Sequence, residues 1–213
     1  MADHHCDLLV IGAGASGASV AFEAVRRGLS VALLEAGDIS GGTSCRSTKL
    51  LHGGVRYLEL AFKTLDIAQL QLVREALLER GHWLRTVPFL ANRLELVLPT
   101  KNWFDKTYYG LGLGLYDALS GDTGLGHSRR LSRDELVQAL PQLCPRQGGV
   151  AYSDGQFDDA RLNLLLALTA EQGGATLRRS CRVIGFERNP AGRLTAAVSE
   201  TETGQQERWQ AQV

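Results

Sequence analysis

Residues Asp7 to Glu35 read DLLVIGAGASGASVAFEAVRRGLSVALLE. The stretch opens on Leu8 to Ile11, an apolar run too short for a helix and ended by glycine, which predicts a buried strand. Gly12-Ala13-Gly14-Ala15-Ser16-Gly17 follows. Gly12 permits the tight turn out of the strand, Gly14 removes the Cβ that would keep the backbone off a pyrophosphate, and Gly17 lets the next helix lie close on the sheet. That helix is expected from Ala15 to Arg27, with small residues at Ala18, Ala21 and Ala24 and a stop at Gly28. Its N-terminus offers N–H groups to an anion. Ser30 to Leu34 reads as a second strand, which delivers Glu35 where a carboxylate accepts hydrogen bonds from a ribose diol. The whole is a dinucleotide-binding βαβ unit of an α/β fold. An acid at Glu35 repels a 2′-phosphate and so disfavours NADP, but the stretch alone does not separate NAD from FAD.

Composition narrows the rest. The chain has 213 residues, 44% of them hydrophobic, enough for a sizeable core. Lys plus Arg balance Asp plus Glu at 23 each, so no global charge recruits nucleic acid, and any anion site must be local. Cys6, Cys45, Cys144 and Cys181 are widely spaced and form no CxxC pair, which argues against a metal site or a redox dithiol and fits reduced thiols in the cytoplasm. The opening MADHHCD carries no secretory pattern, and no apolar run approaches the ~18 residues of a spanning helix.

Residues 36 to 61, AGDISGGTSCRSTKLLHGGVRYLELA, are more specific. Gly37, Gly41 and Gly42 with Thr43, Ser44 and Ser47 make a loop able to approach a ligand closely, and Arg46 and Lys49 add cations. By composition alone this is a solvated Ser/Gly loop. His52-Gly53-Gly54-Val55-Arg56-Tyr57 then brings an imidazole, two glycines, a guanidinium and a phenol together, an assortment that a structural turn does not need.

The glycine motif with its terminal Glu, the run TSCRSTKLLHGGVRYLE, and a second block, Ala151-Tyr-Ser-Asp-Gly-Gln-Phe-Asp-Asp-Ala-Arg-Leu-Asn163, together resemble the FAD-dependent (respiratory) glycerol-3-phosphate dehydrogenases and the related glycerophosphate oxidases. The similarity covers nearly the whole chain. It implies a Rossmann-like FAD-binding domain of the FAD-dependent oxidoreductase type, with part of a mixed α+β substrate domain. It also implies oxidation of sn-glycerol 3-phosphate to dihydroxyacetone phosphate, with electrons passed to quinone or oxygen. Carried over by position, the resemblance assigns Gly12, Gly14, Gly17 and Glu35 to the ADP half of FAD. Thr43, Ser44, Ser47, Lys49, Leu50 and Leu51 fall along the pyrophosphate, ribityl chain and ring edge. Arg56 and Tyr57 become candidates for substrate contact, with His52 near the flavin or, alternatively, a buried hydrogen-bonded residue. The general base is expected beyond Val213.

The remaining sequence reads as scaffold. A long amphipathic helix is expected over 62–85, and an extended run from Phe89 to Leu98 is stopped by Pro99. The aromatic segment Asn102 to Leu119 is a packed helix or, alternatively, a face that meets lipid at a cytoplasmic membrane surface. Gly121 to Arg130 is expected to be a mobile basic loop, Ser132 to Glu135 a capping box, and Asp158 or Asp159 the start of a helix closed by Gly173-Gly174. Short runs over Thr176–Phe186, Leu194–Glu200 and Glu207–Val213 predict a β-meander that the resembled family would continue into further flavin contacts. The expected organisation is 1–85 nucleotide binding, 86–175 partial substrate region and 176–213 a returning meander. Three rival readings remain: another FAD-dependent amine or hydroxy-acid oxidase, a non-catalytic nucleotide-binding fragment, and an NAD dehydrogenase, the last disfavoured by the long loop after Glu35.

Overall fold

The computed structural model describes residues 1–55, 57–58, 64, 66–142 and 148–212. They form two compact units, one of Met1–Thr48 with Asp158–Val213, the other of Lys49–Phe157. The expected 1–85 segment therefore contributes to both.

In the first unit, β2 (Leu8–Ile11), β3 (Val31–Leu34) and β8 (Thr176–Arg178) form a parallel sheet in the order β2-β3-β8. Leu8 pairs with Val31 and Ala32 with Thr176. All four residues of β3 are buried, as a central parallel strand requires. Helix α1 (Ala15–Arg26) turns Ala18, Ala21 and Ala24 inward at helical spacing. They pack with Ala167 and Ala170 of α5 (Asp159–Gln172), where small side chains allow close approach. Both helices end in the same way: Gly28 and Gly174 adopt φ of +82° and +108°. In each the following N–H reaches back to the helix, Leu29 to Ala24 and Ala175 to Ala170, both at 2.9–3.1 Å.

A second sheet in this unit runs β1-β11-β10-β9, from Ala2–Cys6, Gln206–Ala211, Leu194–Thr201 and Cys181–Arg188. The meander is present as β9 to β11. The expected single run Thr176–Phe186 is instead split between two sheets, because Ser180 takes a positive φ of 49° and its N–H donates to Gly37 O at 3.1 Å. Strand β1 was not anticipated. It pairs in parallel with β11, and His4 stacks on buried Trp209 with ring centroids 4.1 Å apart.

In the second unit, β7 (Gly149–Phe157) pairs antiparallel with β5 (Ala91–Pro99), with β4 (Leu50–Leu51) and with β6 (Arg129–Leu131). Helix α2 (Ile67–Thr86) begins at Asp66, whose carboxylate accepts from Ala68 N–H at 2.9 Å; Phe62 and Leu65, the start of the expected helix, lie outside the described residues. Helix α3 (Trp103–Ser120) buries Leu113, Tyr116 and Ser120 and leaves Trp103, Phe104 and Leu111 exposed. The segment expected to be a mobile loop holds regular structure at both ends. Gly121–Thr123 forms a 3-10 turn whose Thr123 hydroxyl donates to Ser120 O at 2.7 Å, and Arg129–Leu131 is β6. The capping box on α4 (Arg133–Ala139) forms as read, with Ser132 Oγ accepting from Glu135 N–H and Glu135 Oε2 from Ser132 N–H. Among the described residues no helix is long and apolar enough to cross a membrane.

Candidate functional site

The first unit builds a cradle around Ala13. Gly12 adopts φ +97° as the chain leaves β2, and its N–H donates to Leu34 O at 2.7 Å. Ala13 is fully buried. Its N–H donates to Glu35 Oε2 at 2.7 Å, while Glu35 Oε1 accepts from Gly37 N–H at 2.8 Å. The strand-end carboxylate is thus oriented by two backbone donors, and its remaining lone pairs suit it to accept from a diol. Gly14 stands at the N-cap of α1, and a Cβ there would lie 3.0 Å from Ser44 Oγ. At Gly17 a Cβ would sit 1.9 Å from Gly12 O, so only glycine lets the helix descend onto the turn. All three glycines and Glu35 come together as the sequence reading required.

The loop after Glu35 folds over this helix start. Thr43–Cys45 is a 3-10 turn; Thr43 is exposed and its carbonyl accepts from Arg46 N–H at 2.9 Å. Ser44 Oγ accepts from Ala15 N–H at 2.9 Å. The Arg46 guanidinium folds back onto the carbonyls of Gly41 and Gly42, so it braces the loop. Ser47 donates to Asp159 Oδ2 from both its hydroxyl, at 2.6 Å, and its N–H, at 3.2 Å. These residues fit an ADP-bearing cofactor: an oriented acceptor at Glu35, a Cβ-free approach at Gly14, a helix N-terminus and hydroxyls beside it.

The second unit holds the other predicted residues. Lys49 adopts φ +59° and its carbonyl accepts from Phe157 N–H at 3.0 Å; Leu50 and Leu51 form β4 opposite Gln156 and Gly155. His52 is exposed, not buried, and its Nδ1 accepts from Gly54 N–H at 3.2 Å, which leaves Nε2 as the protonated ring nitrogen of the neutral form. Tyr57 is 49% exposed, its N–H donating to Gly54 O at 2.8 Å. Arg56 lies outside the described residues.

The His52-Gly53-Gly54 turn rests on a buried polar cluster that the sequence reading did not find. Gly53 N–H donates to Tyr116 Oη at 2.6 Å, and a Cβ on Gly53 would lie 2.3 Å from Leu77 Cδ2. Tyr116 in turn faces the Asp154 carboxylate at 3.3–3.4 Å. Arg80 donates to Asp154 Oδ1 at 2.9 Å and to Ser120 Oγ at 3.2 Å. Burial raises the Asp154 carboxyl above its usual pKa, with the Arg80 hydrogen bond and charge acting against the rise. Burial also pushes the Tyr116 phenol up, so it stays protonated. Asp154 falls in the block Ala151–Asn163 quoted for the resemblance, to which the sequence reading attaches no chemical role; the Arg80 that makes its burial tolerable is 74 positions away.

A parallel βαβ turn with an oriented strand-end acid defines a dinucleotide-binding class, and the family comparison makes the dinucleotide FAD. Residues 7–213 match the FAD dependent oxidoreductase family model, and the chain belongs to that family. Within it, the chain is 46% identical over 182 residues to the mitochondrial glycerol-3-phosphate dehydrogenase of Homo sapiens, covering 84% of this chain and 25% of that protein. It is 42% identical over 208 residues to the mitochondrial glycerol-3-phosphate dehydrogenase of Arabidopsis thaliana, covering 94% of this chain and 33% of that one. The solved glycerol-3-phosphate dehydrogenase of Bacillus halodurans complexed with FAD superposes with a TM-score of 0.68 at 26% identity, over 98% of this chain and 33% of that chain. The chain thus spans about a quarter to a third of these relatives.

Proposed function

We propose that this chain holds FAD and serves the oxidation of sn-glycerol 3-phosphate to dihydroxyacetone phosphate. The observation that carries the reading is the Ala13–Glu35–Gly37 arrangement at the glycine turn, in a chain 46% identical to a glycerol-3-phosphate dehydrogenase. Bound FAD supplies the hydride acceptor for the substrate C2–H bond. Glu35 accepts from the adenosine ribose, and Gly12, Gly14 and Gly17 admit the pyrophosphate to the start of α1. Thr43, Ser44 and Ser47 supply hydroxyls along the pyrophosphate and ribityl chain, and Lys49, Leu50 and Leu51 follow toward the ring edge. Arg56 and Tyr57 are the substrate contacts, a guanidinium being well matched to a phosphate dianion. His52 stands near the flavin. Electrons leave to quinone, with oxygen the alternative acceptor. The enzyme works in the cytoplasm, in peripheral contact with the inner face of the membrane.

The test is a visible absorption spectrum of the purified chain before and after anaerobic glycerol 3-phosphate. Flavin bands that bleach on addition support the whole reading. Bands that persist confine the chain to cofactor binding, with the general base supplied elsewhere. Bleaching by amino acids and not by glycerol 3-phosphate would replace the substrate assignment with an amine oxidase.

A further inference from the structure

Two side chains of α5 reach the two segments assigned to the cofactor, the glycine turn and the hydroxyl loop. Asp159 and Asn163 are one helical turn apart and so project from the same face. Both are buried, at 4% and 3% exposure. Asn163 Nδ2 donates to Ala13 O at 2.9 Å, and Asp159 Oδ2 accepts from the Ser47 hydroxyl and N–H. The same Ala13 carbonyl accepts from Ser40 N–H at 3.0 Å, and the Ala13 N–H is held by Glu35. Both backbone groups of Ala13 are therefore held, by three residues from separate parts of the chain.

We propose that Asp159 and Asn163 are positioning residues that clamp two cofactor-facing segments, the glycine turn assigned to the ADP half and the hydroxyl loop at Ser47, where that loop passes to the ribityl chain. Asn163 fixes the glycine turn; Asp159 fixes the hydroxyl loop at Ser47. The inference rests on the FAD reading above and deepens it. One observation separates it from plain helix packing. Asn163 Oδ1 is buried with no hydrogen-bond partner among the described residues, an arrangement that costs stability. A packing role is better filled by leucine. An amide is needed there for its donor to Ala13, and the orphaned oxygen accompanies it.

The two clamps act on different parts of the cofactor, which makes them separable. The flavin-free chain is titrated with FAD, followed by quenching of flavin fluorescence, and with ADP, followed by calorimetry; its melting temperature without ligand is recorded alongside. In Asn163→Leu the glycine turn loses its clamp, so FAD and ADP both bind about tenfold more weakly. Its melting temperature holds or rises, since the orphaned oxygen is gone. In Asp159→Asn the charged acceptor at Ser47 becomes a neutral amide oxygen, so FAD weakens by up to about tenfold while ADP stays within about twofold. Ser47→Ala cuts the same hydroxyl bond from its exposed end and reproduces the FAD-selective loss even where Asp159→Asn fails to fold. Unchanged FAD affinity in Asn163→Leu and Ser47→Ala, with a parent chain that binds, overturns the clamp alone. So do losses in both ligands that follow a fall in melting temperature, which is the signature of general destabilisation. A parent chain that binds neither FAD nor ADP overturns the cofactor reading, and the clamp with it.

Discussion

Arg80 and Asp154 form an ion pair whose side chains are 2% and 1% exposed, and its removal can be worked through in advance. At the observed 2.9 Å the attraction is about 6 kcal/mol for an effective dielectric near 20. Desolvation of both groups opposes it, and at Asp154 burial is the largest influence, raising the carboxyl pKa despite the guanidinium. The pair therefore comes close to breaking even, while either member alone is costly. Asp154→Leu strands a guanidinium beside Ser120 and over the Tyr116 ring, whose centroid is 5.6 Å from Arg80 Cζ. Arg80→Met leaves a buried carboxyl facing Tyr116 and the Gly155 N–H. Each single change should cost about 3–5 kcal/mol, and the double change Arg80→Met/Asp154→Leu should return to within about 1 kcal/mol of the parent. The sign with pH follows from the same carboxyl. A raised folded pKa means that the Arg80→Met protein is least handicapped near the ordinary aspartate value of 3.8, and loses stability as pH rises through the folded value. Urea unfolding at several pH values, read by tryptophan fluorescence, measures all three proteins. A single variant costing less than about 1 kcal/mol, or a double variant no better than its singles, would refute the reasoning.

Three further outcomes are expected. Gly17→Ala places a Cβ 1.9 Å from Gly12 O, so the backbone of the turn must move; a loss of about 1–3 kcal/mol and a melting temperature at least about 2 °C lower should be seen by calorimetry. Tyr116→Phe strands the buried Gly53 N–H at a cost of about 1–3 kcal/mol, and hydrogen exchange at Gly53 should accelerate; unaltered exchange would remove the phenol from its supporting role. Ser30→Ala removes the hydroxyl's hydrogen bond to the Asp7 carboxylate, the largest influence holding the Asp7 pKa below 3.8, and leaves the bond from the Ser30 N–H in place. NMR titration should find that pKa moved up toward its ordinary value. Because a depressed folded pKa stabilises above 3.8 and the benefit is lost as pH falls through the folded value, parent and variant should converge in stability in acid.

The features legible in the sequence were those made by neighbours along the chain. The βαβ unit closes within thirty residues, and its strands, its helix and Glu35 stand where apolar runs and glycines put them. The Ser132–Glu135 box is likewise a matter of three positions. What stayed hidden depends on partners brought together by folding. MADHHC has no apolar pattern, and it becomes a strand because β11 offers an edge 205 positions later. The bend at Ser180 is set by a hydrogen bond to Gly37. Nothing local in the sequence names the partners of Asp154 and Asn163, since Arg80 and Ala13 lie 74 and 150 positions away. For Asn163 a sequence signal did exist: it occupies a position four after Asp159, on the helical stripe that also buries Ala167 and Ala170. A polar residue on a buried stripe asks for a partner.

The pairing of β1 with β11 sets a timetable for synthesis. Cys6 finds Ala211 only after some 205 further residues have been polymerised, about 10–40 s at cellular elongation rates. Strand β3 also waits on one side, since β8 supplies its second neighbour only from Thr176 onward. Through that interval the ribosome carries a nascent chain with β3, an entirely apolar strand, open along one edge. Until Arg178 is made that edge has no β8 to pair with, and the yield of soluble protein should respond to translation speed.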